Sequence, residues 1–133
     1  MTRIRKKGVA LVDTPKGILV VSGRKKVFTL PGGGANNRES RKHAAVRELR
    51  EETGLIAKKR IYLFSYHGGI WHTRKGGVKN HAKVFLINAY GHAKPRHEIK
   101  HIDYWKPDSK LKISRRTKWI INKYLDMKKS KYN

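Results

Sequence analysis

The chain has 133 residues, enough for one domain and too few for two of ordinary size. It contains no cysteine, which excludes disulfides, thiolate zinc sites and cysteine nucleophiles and suits an intracellular protein. Thirty-three Lys and Arg oppose nine Asp and Glu, a net charge of +24, and a field of that sign either keeps a small protein soluble or collects polyanions such as nucleotides and nucleic acid.

The opening "MTRIRKKGVALVDTPKG" is basic, as a signal peptide is. Its apolar run, Gly8 to Val12, is too short for a signal core or a membrane span and is ended by Asp13 and Pro15. A cytoplasmic location away from membranes is expected. Three β-like runs lead the chain: Gly8 to Val12, Ile18 to Ser22 and Val27 to Leu30. Turn chemistry at Thr14-Pro15-Lys16-Gly17 and Gly23-Arg24-Lys25-Lys26 separates them, so consecutive runs are expected to form hairpins. The glycine loop "PGGGANN" follows. "ESRKHAAVRELREETG" then predicts a helix, with Ser40 as N-cap, Gly54 as C-terminal cap and a narrow apolar stripe through His43, Ala44, Val46 or Arg47, and Leu49.

Two strand runs come next, "RIYLFSYHG" from Arg60 and "KVFLINAYG" from Lys83, with the basic, glycine-bearing segment "GGIWHTRKGGVKNH" between them. "IKHIDYWKP" predicts one more strand. From Ser114 a second helix turns Ile120, Ile121, Tyr124 and Leu125 to one face and basic residues to the others, and a basic tail from about residue 128 to 133 is expected to fray. Strands, helix, strands, helix in one small domain spanning residues 1–133 predict a mixed sheet with helices packed on it.

Glu48, Glu51 and Glu52 stand at helical spacings of three and four, which puts them on one face. Like charges so placed cost about 0.2–0.5 kcal/mol per pair on an exposed helix. Arg47 and Arg50 offset part of this, so a solvated, salt-bridged face is one reading. The other is a cation site. Four of the nine acids fall within the fourteen residues from Glu39 to Glu52, and a glycine loop feeds the same helix. Hard divalent cations take carboxylate oxygens together with substrate phosphates, and glycines let a backbone approach a phosphate closely.

Gly33, five residues, Glu39, seven residues, then Arg47-Glu48-Leu49-Arg50-Glu51-Glu52-Thr53-Gly54-Leu55 resembles the complete Nudix box, with all nine specified positions matched. The resemblance implies an α/β/α sandwich with a mixed β-sheet and hydrolysis of a nucleoside diphosphate-linked substrate with Mg²⁺ or Mn²⁺. It implies that Glu48, Glu51 and Glu52 hold metal, that Arg47 orients them, and that Gly33, flanked by Gly32 and Gly34, shapes the loop and places substrate or metal. Glu39 would support the loop and join the metal shell. Leu49 and Leu55 would serve the core. The chemistry implied is in-line attack of a metal-activated water on the anhydride. Relatives differ in the base, and Glu98, the one glutamate outside the cluster and its loop, is the candidate here for base or ligand.

The box leaves the substrate open. "GGIWHTRKGG" offers Trp71 for base stacking and Arg74 and Lys75 for phosphates, against a Trp71 that packs under its own hairpin. Asp103 is a candidate for reading a purine, while Trp105 reads as core-edge packing. The seven histidines show no metal-ligand spacing. Three functions are weighed: a hydrolase of nucleoside triphosphates, oxidised ones included, releasing monophosphate and pyrophosphate; the same chemistry on RNA 5′ ends or dinucleoside polyphosphates; and a catalytically silent nucleic-acid-binding module. Retained, mutually repelling carboxylates speak against the last. Oligomeric state is not legible.

Overall fold

The computed structural model of the chain describes residues 2–131. Strand β1 (Thr2–Leu11) is exposed in its basic first half and buried over its last four residues. Strands β2 (Asp13–Thr14) and β3 (Gly17–Ser22) follow, all six residues of β3 being buried. After β4 (Gly32–Gly34) and helix α1 (Arg41–Thr53) come two long strands, β5 (Ile56–Thr73) and β6 (Gly76–Tyr90). Strand β7 (His101–Trp105) and helix α2 (Arg115–Lys131) complete the fold.

Two sheets form. The larger runs in the order β4-β1-β6-β5, with β1 antiparallel to β4 and parallel to β6, and β5 antiparallel to β6. The smaller, β2-β3-β7, is antiparallel. Alternation along β1 sends Ala10 to one side, where it packs with Ala45 and Leu49 of α1 and with Phe85 and Ile87 of β6. Val9 and Leu11 go to the other side, against Ile120, Ile121 and Tyr124 of α2. A mixed sheet sandwiched between two helices is the architecture expected.

Glycine sets how closely these layers approach. A Cβ on Gly8 would lie 1.9 Å from the Arg41 carbonyl oxygen, so the start of α1 rests directly on β1. A Cβ on Gly32 would lie 2.5 Å from the Gly8 carbonyl oxygen. These contacts hold the glycine strand, β1 and the glutamate helix in one stack.

The local expectations fare unevenly. The expected hairpin across Thr14 to Gly17 forms only at its end: β2 pairs with β3 and the Leu19 N–H donates to the Val12 carbonyl at 3.0 Å, while the rest of the first run belongs to β1, which starts at Thr2 and pairs in parallel with β6. Val27 to Leu30 makes only isolated bridges, Val21 to Thr29 and Phe28 to Ile113. The glycine loop contributes a strand, β4. The segment "GGIWHTRKGG" is not a connecting loop. It belongs to one continuous hairpin that turns only at Arg74 and Lys75, with a register shift at Gly68 and Gly69 absorbing an irregularity in β5. On α1, Ala44 and Leu49 are buried as expected and Ala45 is buried with them, whereas the His43 side chain is 69% exposed and sits 3.8 Å from Glu39. Helix α2 continues to Lys131, past Lys128 where fraying was expected; residues 132–133 lie outside the described residues. Tyr124 Oη donates to Asp13 Oδ2 at 2.6 Å and Lys128 Nζ donates to the same oxygen at 3.0 Å, tying α2 to β2.

Candidate active site

Helix α1 is capped at both ends by the residues its sequence offers. The Ser40 hydroxyl accepts from the His43 N–H at 3.0 Å. Gly54, at φ 81°, donates its N–H to the Arg50 carbonyl at 2.8 Å. With the helix so fixed, burial of Ala44, Ala45 and Leu49 turns Arg47, Glu48 and Glu52 toward the glycine strand.

Arg47 is the hub. Its Nε and Nη2 donate to the two oxygens of Glu39 at 2.8 and 3.0 Å, a bidentate pair. Nη1 donates to Glu48 Oε1 at 3.0 Å and Glu51 Oε2 at 3.1 Å, and Nη2 reaches the Gly34 carbonyl at 3.0 Å. Glu39 also accepts from the Asn36 N–H at 2.9 Å, and the Arg47 bonds, then this one, hold its pKa down to about 2. One guanidinium thereby fixes the loop and two helix carboxylates.

Glu52, one turn on from Glu48, also faces the glycine strand and is buried. Its Oε1 accepts from the Gly32 N–H at 2.9 Å. Burial, aided by repulsion from Glu48, Glu98 and Glu51, pushes its pKa up to about 7 despite that bond. Burial also raises Glu48, with the Arg47 bond opposing. Gly33 faces Glu48 directly, and a Cβ there would lie 2.7 Å from the carboxyl carbon and from Oε1.

Other expected residues separate into two groups. Glu98 comes to the site: the Arg96 N–H donates to the Glu52 carbonyl at 3.0 Å and the Lys94 N–H to the Thr53 carbonyl at 2.9 Å, docking the loop before β7 on the helix end. From there Glu98 raises the proton affinity of both Glu48 and Glu52. Trp71 and Arg74 do not join the glutamates. Trp71 pairs with Val78, itself opposite Arg3 of β1, while Gly33 pairs with Gly8, roughly 16 Å further along that strand at about 3.3 Å per residue. Arg74 lies in the turn beyond. Asp103 is in the smaller sheet opposite Val20, accepting from the Tyr104 N–H at 2.8 Å.

Two cations that the sequence did not single out stand here as well. Lys7 pairs with Gly34 on the α2 side of β1, and Arg116 lies in the first turn of α2. With Gly32, Ser114 and Thr117 they line a cleft of about 200 Å³. Burial, then the charges of Arg116 and Arg5, lowers the Lys7 pKa to about 8, against the pull of Glu48 and Glu52. Neither residue carries a motif, and each is one cation among thirty-three.

Among the described residues no three carboxylates or imidazoles converge as a ready-made metal cage. The donor set nevertheless suits a hard divalent ion. Glu48 and Glu52 are oxygen donors whose proton affinity is raised chiefly by burial, and the missing Cβ of Gly33 leaves room beside Glu48. Glu51, its side chain 40% exposed, can turn from Arg47 to join them.

A family model described as the NUDIX domain matches residues 3–124. The chain belongs to the Nudix family. It is a Nudix pyrophosphohydrolase, and enzymes of this family depend on divalent metal. Among solved structures, one assigned to the nudix hydrolase family from Chromobacterium violaceum is 34% identical, with a TM-score of 0.76 over 92% of this chain and 77% of that one. The MutT NUDIX hydrolase from Burkholderia pseudomallei shares the fold at 18% identity and a TM-score of 0.71, over 90% of this chain and 97% of that one. So does a bifunctional NMN adenylyltransferase/ADP ribose pyrophosphatase from Francisella tularensis, complexed with AMP and a Mn ion, at 20% identity and a TM-score of 0.68, over 96% of this chain and 42% of that one. No curated protein matches the chain by sequence. Among the described residues no helix is long and apolar enough to cross a membrane.

Proposed function

We propose that this Nudix enzyme hydrolyses a soluble nucleoside diphosphate-linked substrate, a nucleoside triphosphate or its oxidised form, to the monophosphate and pyrophosphate with Mg²⁺ or Mn²⁺. The observation that carries this reading is the division of charge around Gly32 and Gly33. The buried Glu52 and half-buried Glu48, both with raised proton affinity, stand on one side, and the half-buried Lys7 and Arg116 stand on the other. Such a site accepts a cation and a polyphosphate together and either one alone less well. AMP and manganese in the Francisella neighbour are consistent with both occupants.

Glu48, Glu51 and Glu52 would hold the metal, with Glu39 acting mainly through Arg47. Bound there, a divalent ion would lower the pKa of a coordinated water and neutralise charge developing on the phosphoryl oxygens. Arg47 fixes the Glu48 rotamer, so that this carboxylate needs little reorganisation when substrate arrives. Lys7 and Arg116 would bind the phosphates and orient the anhydride. Glu98, with no ion-pair partner among the described residues, would accept the water's proton or add a ligand. The cleft between β1 and α2 would take the nucleoside, leaving Trp71 and Arg74 outside this step.

The test is a hydrolysis screen over nucleoside triphosphates, oxidised nucleotides, dinucleoside polyphosphates, nucleotide sugars and 5′-triphosphorylated RNA, with and without chelator. Turnover of a free nucleotide that stops with chelator and returns with Mg²⁺ or Mn²⁺ supports the proposal. Preference for the RNA or the dinucleoside polyphosphates redirects the substrate. No turnover with any of them leaves a silent binding module.

A further inference from the structure

Helix α1 covers only part of its side of the sheet. Its first residue, Arg41, rests on Gly8, and the strands run on beyond it: β1 back to Thr2, β6 back to Gly76 and β5 on to Thr73. Alternation puts Lys6 of β1 and Lys79, His81 and Lys83 of β6 on the α1 side of this extension. Tyr62, His67 and Ile70 of β5 pair with Phe85, His81 and Lys79 and share that side. Among the described residues the Arg41 side chain reaches back onto it, its Nη2 3.4 Å from His81 Nδ1, while Tyr62 is 51% exposed.

We propose that this face of the β1–β6–β5 extension binds single-stranded nucleic acid. Charge is the first ground. Residues 2–12 and 53–97, which supply all three strands, contain thirteen Lys and Arg and not one Asp or Glu. Among the described residues, ion pairs involve only Arg47, His43 and Lys128, so the cations of this face are unneutralised by the protein itself. A second copy of this chain would bring the same sign of charge and be repelled.

Flat rings are the second ground. His67 and His81 stack with centroids 4.1 Å apart and planes 30° apart, and roughly 13 Å further along the strand, at about 3.3 Å per residue, the Tyr62 ring opposite Phe85 has Lys83 Nζ 5.6 Å from its centroid. Aromatic surfaces interleaved with lysines on an open sheet stack unpaired bases and hold their phosphates, whereas duplex bases are out of reach. Length is the third. Lys79 to Phe85 spans roughly 20 Å of strand at about 3.3 Å per residue, beyond what one nucleotide covers. At the near end a groove of about 400 Å³, lined by Lys6, Arg41, Lys42, Arg60, Tyr62 and Lys83, reaches Glu39. The face thus ends at the rim of the catalytic site without being part of it.

The experiment is fluorescence anisotropy with a labelled single-stranded oligoribonucleotide bearing a 5′-hydroxyl, which offers no phosphoanhydride and reports binding whether or not the proposed activity stands. Binding is expected to weaken linearly in log–log salt titration, with a slope of about −0.7 per phosphate contact. Lys79→Ala with Lys83→Ala should flatten the slope by about 1.4, and Tyr62→Ala should weaken binding roughly tenfold with the slope unchanged. Turnover of free nucleotide should be unaltered in both variants. Wild-type affinity in both variants overturns the proposal. So does equal affinity for inorganic polyphosphate with no response to Tyr62→Ala, or a dimer in sedimentation that these substitutions dissociate.

Discussion

Replacing Glu52 by glutamine should move stability and activity in opposite directions. The amide oxygen can still accept the Gly32 N–H that Glu52 accepts at 2.9 Å, so the local geometry survives while the charge goes. In the metal-free protein Glu52 has a pKa of about 7 against an ordinary 4.5. A carboxyl raised on folding favours the folded state fully below the unfolded pKa, and that contribution is lost as pH rises through about 7. The gap corresponds to roughly 3 kcal/mol as an upper limit, since each pKa unit is worth about 1.4 kcal/mol. At pH 8 without metal, Glu52→Gln should therefore melt higher than the wild type, by up to about 10 °C for a domain this size. At pH 5 the two should converge. Hydrolysis with saturating Mg²⁺ should fall by orders of magnitude. Scanning fluorimetry at both pH values and steady-state kinetics on one preparation supply the readouts. A variant that turns over normally would refute the site, and one that melts lower at pH 8 would refute the account of why the carboxylate is strained.

Lys7→Met should raise KM for a nucleotide roughly tenfold with a smaller effect on kcat. In the wild type kcat/KM should decline above pH 8, where a lysine with pKa near 8 loses its charge; a flat profile to pH 9.5 would exclude Lys7 from phosphate binding. Gly33→Ala puts a methyl 2.7 Å from the Glu48 carboxyl and should lower kcat while leaving the circular dichroism spectrum unchanged. Leu49→Ala, emptying a site with no solvent exposure between α1 and the sheet, should cost about 2–5 kcal/mol in urea melts.

How far the sequence could be read follows from where each signal resides. The helix carrying the glutamates was legible because capping is local: Ser40 and Gly54 are side-chain and backbone solutions within one turn of the ends they close. The hydrogen bonds from Arg47 to Glu48 and Glu51 were likewise legible, through the fixed spacing of the box. Lys7 and Arg116 were not. Each reaches the site through tertiary contact, Lys7 by strand pairing and Arg116 by the packing of α2, and neither contact leaves a spacing in the chain. Strand β1 hid for a related reason. Its first half is exposed and basic on both faces, so it lacks the apolar alternation that marks a half-buried strand. Trp71 and Arg74 were weighed for base stacking and phosphate binding against a Trp71 packed in its own hairpin, and no local signal told how far along that hairpin they stand from the glutamates. The structure puts them near its turn, beyond the register shift at Gly68 and Gly69.

The parallel pairing of β1 with β6 also governs the order in which the molecule can be made. Thr2 meets Gly77 and Leu11 meets Leu86, partners seventy-five positions apart along the chain. Closing so wide a gap is slow compared with winding a helix, and pairings of this kind dominate the folding time of small domains. On the ribosome the glutamate helix can wind as soon as it emerges, yet the bed it lies on is unfinished until residue 86 has been synthesised. During that interval Val9 and Leu11 stand at an open edge, and a stall there would leave the nascent chain prone to clumping.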